Sequence, residues 1–146
     1  MNIEKVIVSL LLFCIFSGFC FSQTENNVEI TIEITNVEIN GGKVFLAIFS
    51  TAESFQKEKP AFSFELDANK ISITKKITLK TGEYVISGFQ DTNNNKELDY
   101  NMLGIPKEKI FITNYHGKGY PSKNFNKQKI VIDQKSEKIS ISLFKL

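Results

Sequence analysis

The chain has 146 residues, with 18 basic and 16 acidic side chains and a net charge of +2. Every basic residue other than the single histidine is a lysine, and there is neither arginine nor tryptophan. Proteins that read nucleic acids favour arginine, because its planar side chain forms paired bonds with phosphates and bases. The composition therefore argues against nucleic acid as a partner.

The first 22 residues have the layout of a secretory signal peptide. Lys5 gives a short basic start, an apolar run follows over residues 6–21, and the small residues Cys20 and Ser22 precede a cleavage site before Gln23. We therefore predict a secreted or periplasmic protein whose mature domain is residues 23–146, without a membrane span once the signal is removed. Both cysteines lie within the signal, so the mature domain has no disulfide.

Two alternatives stay open for this segment. One is an uncleaved membrane anchor, although the run is short for a span of about 20 residues and lacks a basic stop behind it. The other is a lipoprotein anchored at Cys20, against which Phe19 and Ser17 argue, since Phe19 is bulky and Ser17 stands where a leucine is usual.

The mature sequence predicts an all-β protein. Apolar residues alternate with polar ones over residues 28–35, which is the period of a strand with one buried face. A turn at Asn40-Gly41-Gly42 leads into a strand over residues 43–50, whose apolar residues on both faces indicate a central position. Short strand patterns follow over residues 71–73, 77–79, 84–89 and 109–113. Residues 129–133 and 138–144 flank a turn, which predicts a terminal hairpin.

Strands at this spacing predict a single β-sandwich of about seven strands, prealbumin-like or immunoglobulin-like, with two long loops. The loops are residues 51–68 and 91–128, and the second holds three of the four tyrosines and His116. The predicted core residues are the apolar members of the alternating runs: Ile30, Ile32, Val44, Leu46, Ile48, Val85, Ile130, Ile132, Ile139 and Ile141.

The second loop opens on a pattern of oxygen-bearing side chains that is typical of calcium loops. The pattern occupies the first, third, fifth and ninth positions, and in such loops alternate residues point inward around a hard cation. The predicted ligands are Asp91, Asn93, Asn95, the backbone carbonyl of Glu97, and Asp99. Glu108 is a further candidate, and calcium is the expected cofactor.

Two features complicate this prediction. Met102 stands where an EF-hand needs a bidentate glutamate, so an EF-hand is not expected. Lys96 occupies the sixth position, where such loops carry glycine for the sharp turn. The alternative is a turn in which the Asp and Asn side chains bond only their own backbone.

Several segments together resemble the bacterial family known as domain of unknown function 2141. They are Gly42-Lys-Val-Phe-Leu-Ala-Ile-Phe49, Phe55, Gly82-Glu-Tyr-Val-Ile86, the loop Asp91-x-Asn-x-Asn-x-x-Leu-Asp99, and Leu103-Gly-Ile-Pro-Lys-Glu108. The resemblance covers nearly all of the mature chain. It implies a small exported β-sandwich protein and no assigned activity.

The remaining candidate chemistry leaves three functions open. The first is an exported, non-catalytic binding or envelope-associated module with an unknown extracytoplasmic ligand, for which a carbohydrate and a protein are the candidates. The second is a hydrolase that uses carboxylates or His116 within residues 91–125, although no nucleophile and base have the spacing that such catalysis needs. The third is a purely structural or assembly subunit. Aromatic residues in both loops suit either a sugar platform or loops that fold back and cover the ends of the sandwich. The second interpretation is favoured, and the lack of tryptophan further weakens the first.

Overall fold

The computed structural model describes residues 26–117 and 119–146. The predicted signal peptide, residues 1–22, lies outside the described residues. The described chain is an all-β sandwich, as predicted, with eight strands in two sheets and two short helices. In chain order the elements are β1 Asn27–Thr35, β2 Lys43–Phe49, α1 Ala52–Gln56, β3 Phe62–Asp67, β4 Ile73–Lys80, β5 Gly82–Asp91, β6 Ile110–Ile112, α2 Phe125–Gln128, β7 Ile130–Ile132 and β8 Lys138–Ser142.

The two sheets differ in size. The smaller has the order β4-β1-β8, in which β1 is antiparallel to β4 and parallel to β8. The larger has the order β3-β2-β5-β6, and β7 also pairs with β5. Phe89 of β5 is opposite Ile110 of β6, and Gly82 is opposite Ile132 of β7. Strands β6 and β7 therefore follow one another along the same edge of β5, and the segment between them leaves that edge and returns to it.

The main core lies between the sheets. Alternation in β1 places its four apolar side chains on the inner face, and each is at most 7% exposed. Eight of the ten predicted core residues are buried, while Ile130 and Ile139 are half-buried and pack against the core. Burying a side chain of this size contributes about 1.5–3 kcal/mol, so this inner face is the main source of stability.

A second apolar cluster consists of Phe49, Val85, Ile112 and Phe125. Val85 alternates with Tyr84 and Ile86 of the main core, so the cluster lies on the outer face of the larger sheet. Phe55 of α1 packs edge-to-face on both Phe49 and Phe125, at centroid distances of 5.3 Å and 6.3 Å. Both short helices therefore cover this outer face, which explains why β2 and β5 are apolar on both sides.

The predicted terminal hairpin is wrong. β7 pairs with β5 in the larger sheet, whereas β8 pairs with β1 in the smaller sheet. The turn at residues 133–137 therefore carries the chain from one sheet to the other. The turn at residues 36–42 does the same between β1 and β2, although Asn40 and Gly42 adopt the expected positive φ angles of 60° and 73°. Turn-forming residues are compatible with a hairpin or a corner, and long-range pairing decides between them.

The two long loops also contain regular structure. Residues 51–68 include α1 and β3, and β3 pairs with β2 over six residues. Residues 91–128 include β6, as residues 109–113 predicted, and α2. The central position predicted for β2 is confirmed, since it lies between β3 and β5. No helix in the described part of the chain is long and apolar enough to cross a membrane.

Candidate functional site

The acidic loop begins at the last residue of β5, and the preceding residues hold that point in place. Gln90 is fully buried, and its amide nitrogen donates to the carbonyls of Glu38 and Gly41 at 2.7 and 2.8 Å. Its oxygen accepts the N–H of Glu38 at 2.9 Å. Gly42 lies against the backbone of Asp91, and a Cβ on Gly42 would come within 1.9 Å of the Asp91 carbonyl oxygen. The connection between β1 and β2 therefore fixes where the loop starts.

Asp91 organises the first half of the loop. Its side chain is 1% exposed, and its Oδ2 accepts the backbone N–H of Lys96 at 2.8 Å. Its Oδ1 accepts a longer bond of 3.3 Å from the N–H of Asn95. Lys96 itself has a φ of 66°, which confirms that the sixth position requires the left-handed conformation that glycine favours.

Three more of the predicted ligands converge on one another. The amide nitrogens of Asn93 and Asn95 both donate to Oδ2 of Asp99, at 2.6 and 3.0 Å. The oxygen of each amide accepts a backbone N–H, from Asn95 and Glu97 respectively. Asp99 is half-buried, whereas the two asparagines are exposed. The predicted carbonyl ligand, that of Glu97, accepts no hydrogen bond within residues 26–117 and 119–146.

Glu108 closes the loop from its far end. Its carboxylate is 5% exposed and accepts the N–H of Thr92 at 2.8 Å on one oxygen and that of Asp99 at 3.4 Å on the other. The N–H of Lys107 donates to the Asp99 carbonyl at 2.9 Å. The structure thus brings Glu108 to the same loop as Asp91 and Asp99, 16 residues along the chain from Thr92.

The charges in this loop are unbalanced. Within the described ranges, no lysine forms an ion pair with Asp91, Asp99 or Glu108, although lysines elsewhere pair with Glu33, Glu53 and Asp67. The same residues contain no group of three or more His, Cys, Asp or Glu side chains that could by themselves hold a metal ion. A cation here would therefore need the asparagine and backbone oxygens in addition to the carboxylates.

His116 lines an open cleft beside α2. The cleft has a volume of about 370 Å³, and its lining includes Tyr115, His116, Tyr120, Ser122, Lys127 and Gln128. The His116 ring is exposed and makes no hydrogen bond with the described residues. None of the lining residues is acidic. The structure therefore does not bring His116 together with the carboxylates that the hydrolase alternative would need.

Sequence reasoning did not identify Gln128 as a cleft residue. Gln128 is buried because it follows Phe125 by three residues on the inner face of α2. That helix has only four residues, too few for a periodic pattern to reveal the face. The signal that could have identified this region is the concentration of His, Tyr, Ser and Gln in one long connection.

The fold and the loop together define an all-β sandwich with an acidic, asparagine-rich loop at the end of a central strand. Residues 32–140 match a family model described as an uncharacterized protein conserved in bacteria, DUF2141. The match extends over more than half of the sequence, so the chain belongs to this family, and the predicted resemblance is confirmed. No curated protein and no solved structure matches the chain.

Proposed function

We propose that this protein is an exported, non-catalytic β-sandwich module whose residues 91–99 bind calcium. The observation that carries the proposal is that hydrogen bonds tie Asp91, Asp99 and Glu108 to the same loop, while no lysine of the described residues forms an ion pair with any of them. Two of the three are buried. Their backbone N–H partners replace part of the lost hydration, and a divalent cation would supply the opposite charge that no ion-paired lysine provides.

The available oxygens suit a hard cation. Asp91 Oδ1 has a single long hydrogen bond, so it keeps lone pairs for a ligand. The amide oxygens of Asn93 and Asn95 each accept one backbone N–H, which leaves a second lone pair on each oxygen for a ligand. The Glu97 carbonyl and Asp99 complete the set. Oxygen ligands in this number favour calcium over zinc or copper, which prefer nitrogen and sulfur.

The affinity expected for this site is low. Three carboxylates and a sixth-position lysine in place of glycine favour a dissociation constant of ~10⁻⁴ M, as in extracellular modules. Such a site fills only where calcium is abundant, which agrees with the proposed secreted or periplasmic location. That location rests on the signal-like residues 1–22, with lipid anchoring at Cys20 as the alternative. Intact mass of the exported protein distinguishes cleavage before Gln23 from a lipid-modified Cys20.

Contacts around His116 do not favour the hydrolase alternative. A catalytic histidine is held in position by a hydrogen-bonding partner, usually a carboxylate, and the cleft offers none. The proposed protein is therefore a binding or envelope-associated module, in which the ion gives the loop a fixed shape.

A calcium titration followed by backbone amide NMR tests the proposal. We expect the largest shifts at the amides whose N–H groups donate to the proposed ligands, which are those of Thr92, Asn95, Lys96, Glu97 and Asp99. The Asp99→Asn variant should lose most of the effect. Asp133→Asn is the matched control, because Asp133 also accepts a backbone N–H in an Asx turn, from Lys135 at 2.9 Å, but lies in an isolated turn. Absent shifts, or equal loss in both variants, would reject a calcium site in this loop.

A further inference from the structure

The cleft beside α2 is built on a rigid base. Thr113 holds the end of the helix, because its hydroxyl donates to the Gln128 carbonyl at 2.6 Å and accepts the N–H of Ile86 at 3.2 Å. Phe125 anchors the helix in the outer apolar cluster. On the opposite wall, the Tyr115 ring stacks on Phe144 with centroids 4.0 Å apart. These contacts fix the α2 side and the Tyr115 side of the cleft.

Gln128 contains a polar atom that the fold leaves without a partner. The residue is 3% exposed and lines the cleft, and its Oε1 is the buried side-chain atom without a hydrogen bond in the described structure. A buried, unsatisfied oxygen is costly, and native proteins keep few of them. Gln128 lines the cleft, so a rotation of its side chain would bring this oxygen within reach of a donor group on a bound molecule.

The lining of the cleft includes a lysine and no acidic side chain. The Lys127 ammonium forms no ion pair with the described residues, and no aspartate or glutamate lines the cleft. Ser122 adds a hydroxyl, and Tyr120 adds an exposed ring whose own hydroxyl donates to the Gly104 carbonyl at 3.2 Å. The cleft therefore combines a free positive charge, neutral hydrogen-bonding groups and an aromatic face.

We infer that this cleft binds a small carboxylated sugar. The volume of about 370 Å³ lies at the small end of ligand sites, which span ~300–1,000 Å³. The carboxylate would pair with Lys127, the hydroxyls would bond Ser122 and the Gln128 amide, and the C–H face of the ring would pack on Tyr120. The inference names a ligand site for the proposed module and does not depend on calcium.

Titration with D-galacturonate, followed by amide NMR, tests this inference, with D-galactose as the neutral analogue and inorganic phosphate as the anion alone. The titrations are run in chelator and again in calcium, so that failure of the cleft and failure of the loop are distinguishable. We expect galacturonate to shift the amides of residues 114–117 and 127–129 in both conditions, with a dissociation constant of ~1 mM or lower. Galactose and phosphate should each bind at least about tenfold more weakly.

Two variants separate binding from folding. Gln128→Leu should weaken galacturonate binding about tenfold or more, while the free energy of unfolding stays unchanged or rises because an unsatisfied amide is removed. Lys127→Gln should weaken binding to a similar extent, whereas Lys123→Gln, a matched change outside the lining, should not.

Three results would overturn the inference. The first is no shift at about 10 mM galacturonate, where a millimolar ligand is nearly saturated. The second is equal affinity for galactose or for phosphate, which removes the sugar-acid specificity. The third is wild-type affinity in either Gln128→Leu or Lys127→Gln.

Discussion

Lys96 donates its backbone N–H to the Asp91 carboxylate at 2.8 Å while its own backbone is held at a φ of 66°. The bond closes the turn of the acidic loop around its first residue. The positive φ is the conformational cost of that closure, because a side chain in the left-handed region crowds the following carbonyl. The sixth position, where calcium loops carry glycine, is therefore occupied here by a lysine in a strained backbone conformation.

Replacing Lys96 by glycine should stabilise the protein. Relief of a left-handed side chain contributes ~1–2 kcal/mol, and the greater backbone entropy of glycine removes ~0.5–1 kcal/mol, so a net gain of up to about 1.5 kcal/mol is expected. The matched control is Asn94→Gly, because Asn94 has a similar φ of 60° but asparagine tolerates it. Urea unfolding measures the stability of both variants. An equal increase in the free energy of unfolding would show that the left-handed Lys96 is no more strained than Asn94.

Replacing Gln90 by leucine should destabilise the protein by about 2 kcal/mol or more. The change removes three hydrogen bonds and leaves the N–H of Glu38 and the carbonyl of Gly41 without their partner, whereas the Glu38 carbonyl keeps the N–H of Gly41 at 3.0 Å. Gln134→Leu, in an exposed turn, is the control and should change stability by less than about 0.5 kcal/mol. Equal unfolding midpoints for the two variants in denaturant would contradict the anchoring role of Gln90.

The main core should respond strongly to truncation. Leu46 is 1% exposed and Ile48 is fully buried, so Leu46→Ala or Ile48→Ala should cost ~2–5 kcal/mol. Val131, in the same sheet but 67% exposed, provides the comparison, and Val131→Ala should cost less than about 0.5 kcal/mol. Chemical denaturation measures all three, and small costs at both core positions would contradict the assigned register.

Acid should weaken the smaller sheet through Glu33. The Lys138 ammonium and then the Ser140 hydroxyl, at 3.0 and 2.9 Å, hold the pKa of this carboxyl below its ordinary value of 4.5. A lowered folded pKa means that the stabilisation is present above about pH 4.5 and is lost as the pH falls through the folded value. The stability difference between wild type and Glu33→Gln should therefore shrink as the pH falls below 4.5.

Unfolding curves between neutral pH and acid give this difference directly. A gap that stays constant across the acid range would show that Glu33 does not contribute through its charge. A gap that widens on acidification would have the wrong sign and would contradict the lowered pKa.

The sequence predicts the parts of this fold that depend on local pattern. The alternation of Ile30, Ile32 and Ile34 identifies a strand with one buried face, and apolar residues on both faces of β2 identify a central strand. The positive φ expected at the Asn40-Gly41-Gly42 turn occurs at Asn40 and Gly42. A one-residue slip would expose an entire apolar set, so the alternation fixes these strands strongly.

Features that depend on distant pairing are not accessible from pattern alone. Ile132 and Ile139 belong to two runs whose pattern also fits a hairpin. In the structure the chain crosses between the sheets instead, because the run of Ile132 pairs with β5 and the run of Ile139 pairs with β1. Glu108 was identified only as a candidate, since nothing local indicates that it returns to Thr92. The Gln90 anchor likewise depends on the backbone of Glu38 and Gly41, far away in sequence.

Thermal unfolding of wild type and an Asp91→Ala/Asp99→Ala variant, in excess chelator and in calcium, tests the calcium proposal most directly. A ligand that binds only the folded state stabilises it by RT ln(1 + [L]/Kd), so ~10⁻³ M calcium at a site of ~10⁻⁴ M adds about 1.4 kcal/mol. We expect wild type to melt several degrees higher in calcium and the double variant to show no shift. Identical melting of wild type in chelator and calcium, or a shift that survives the double substitution, would contradict calcium binding by this loop.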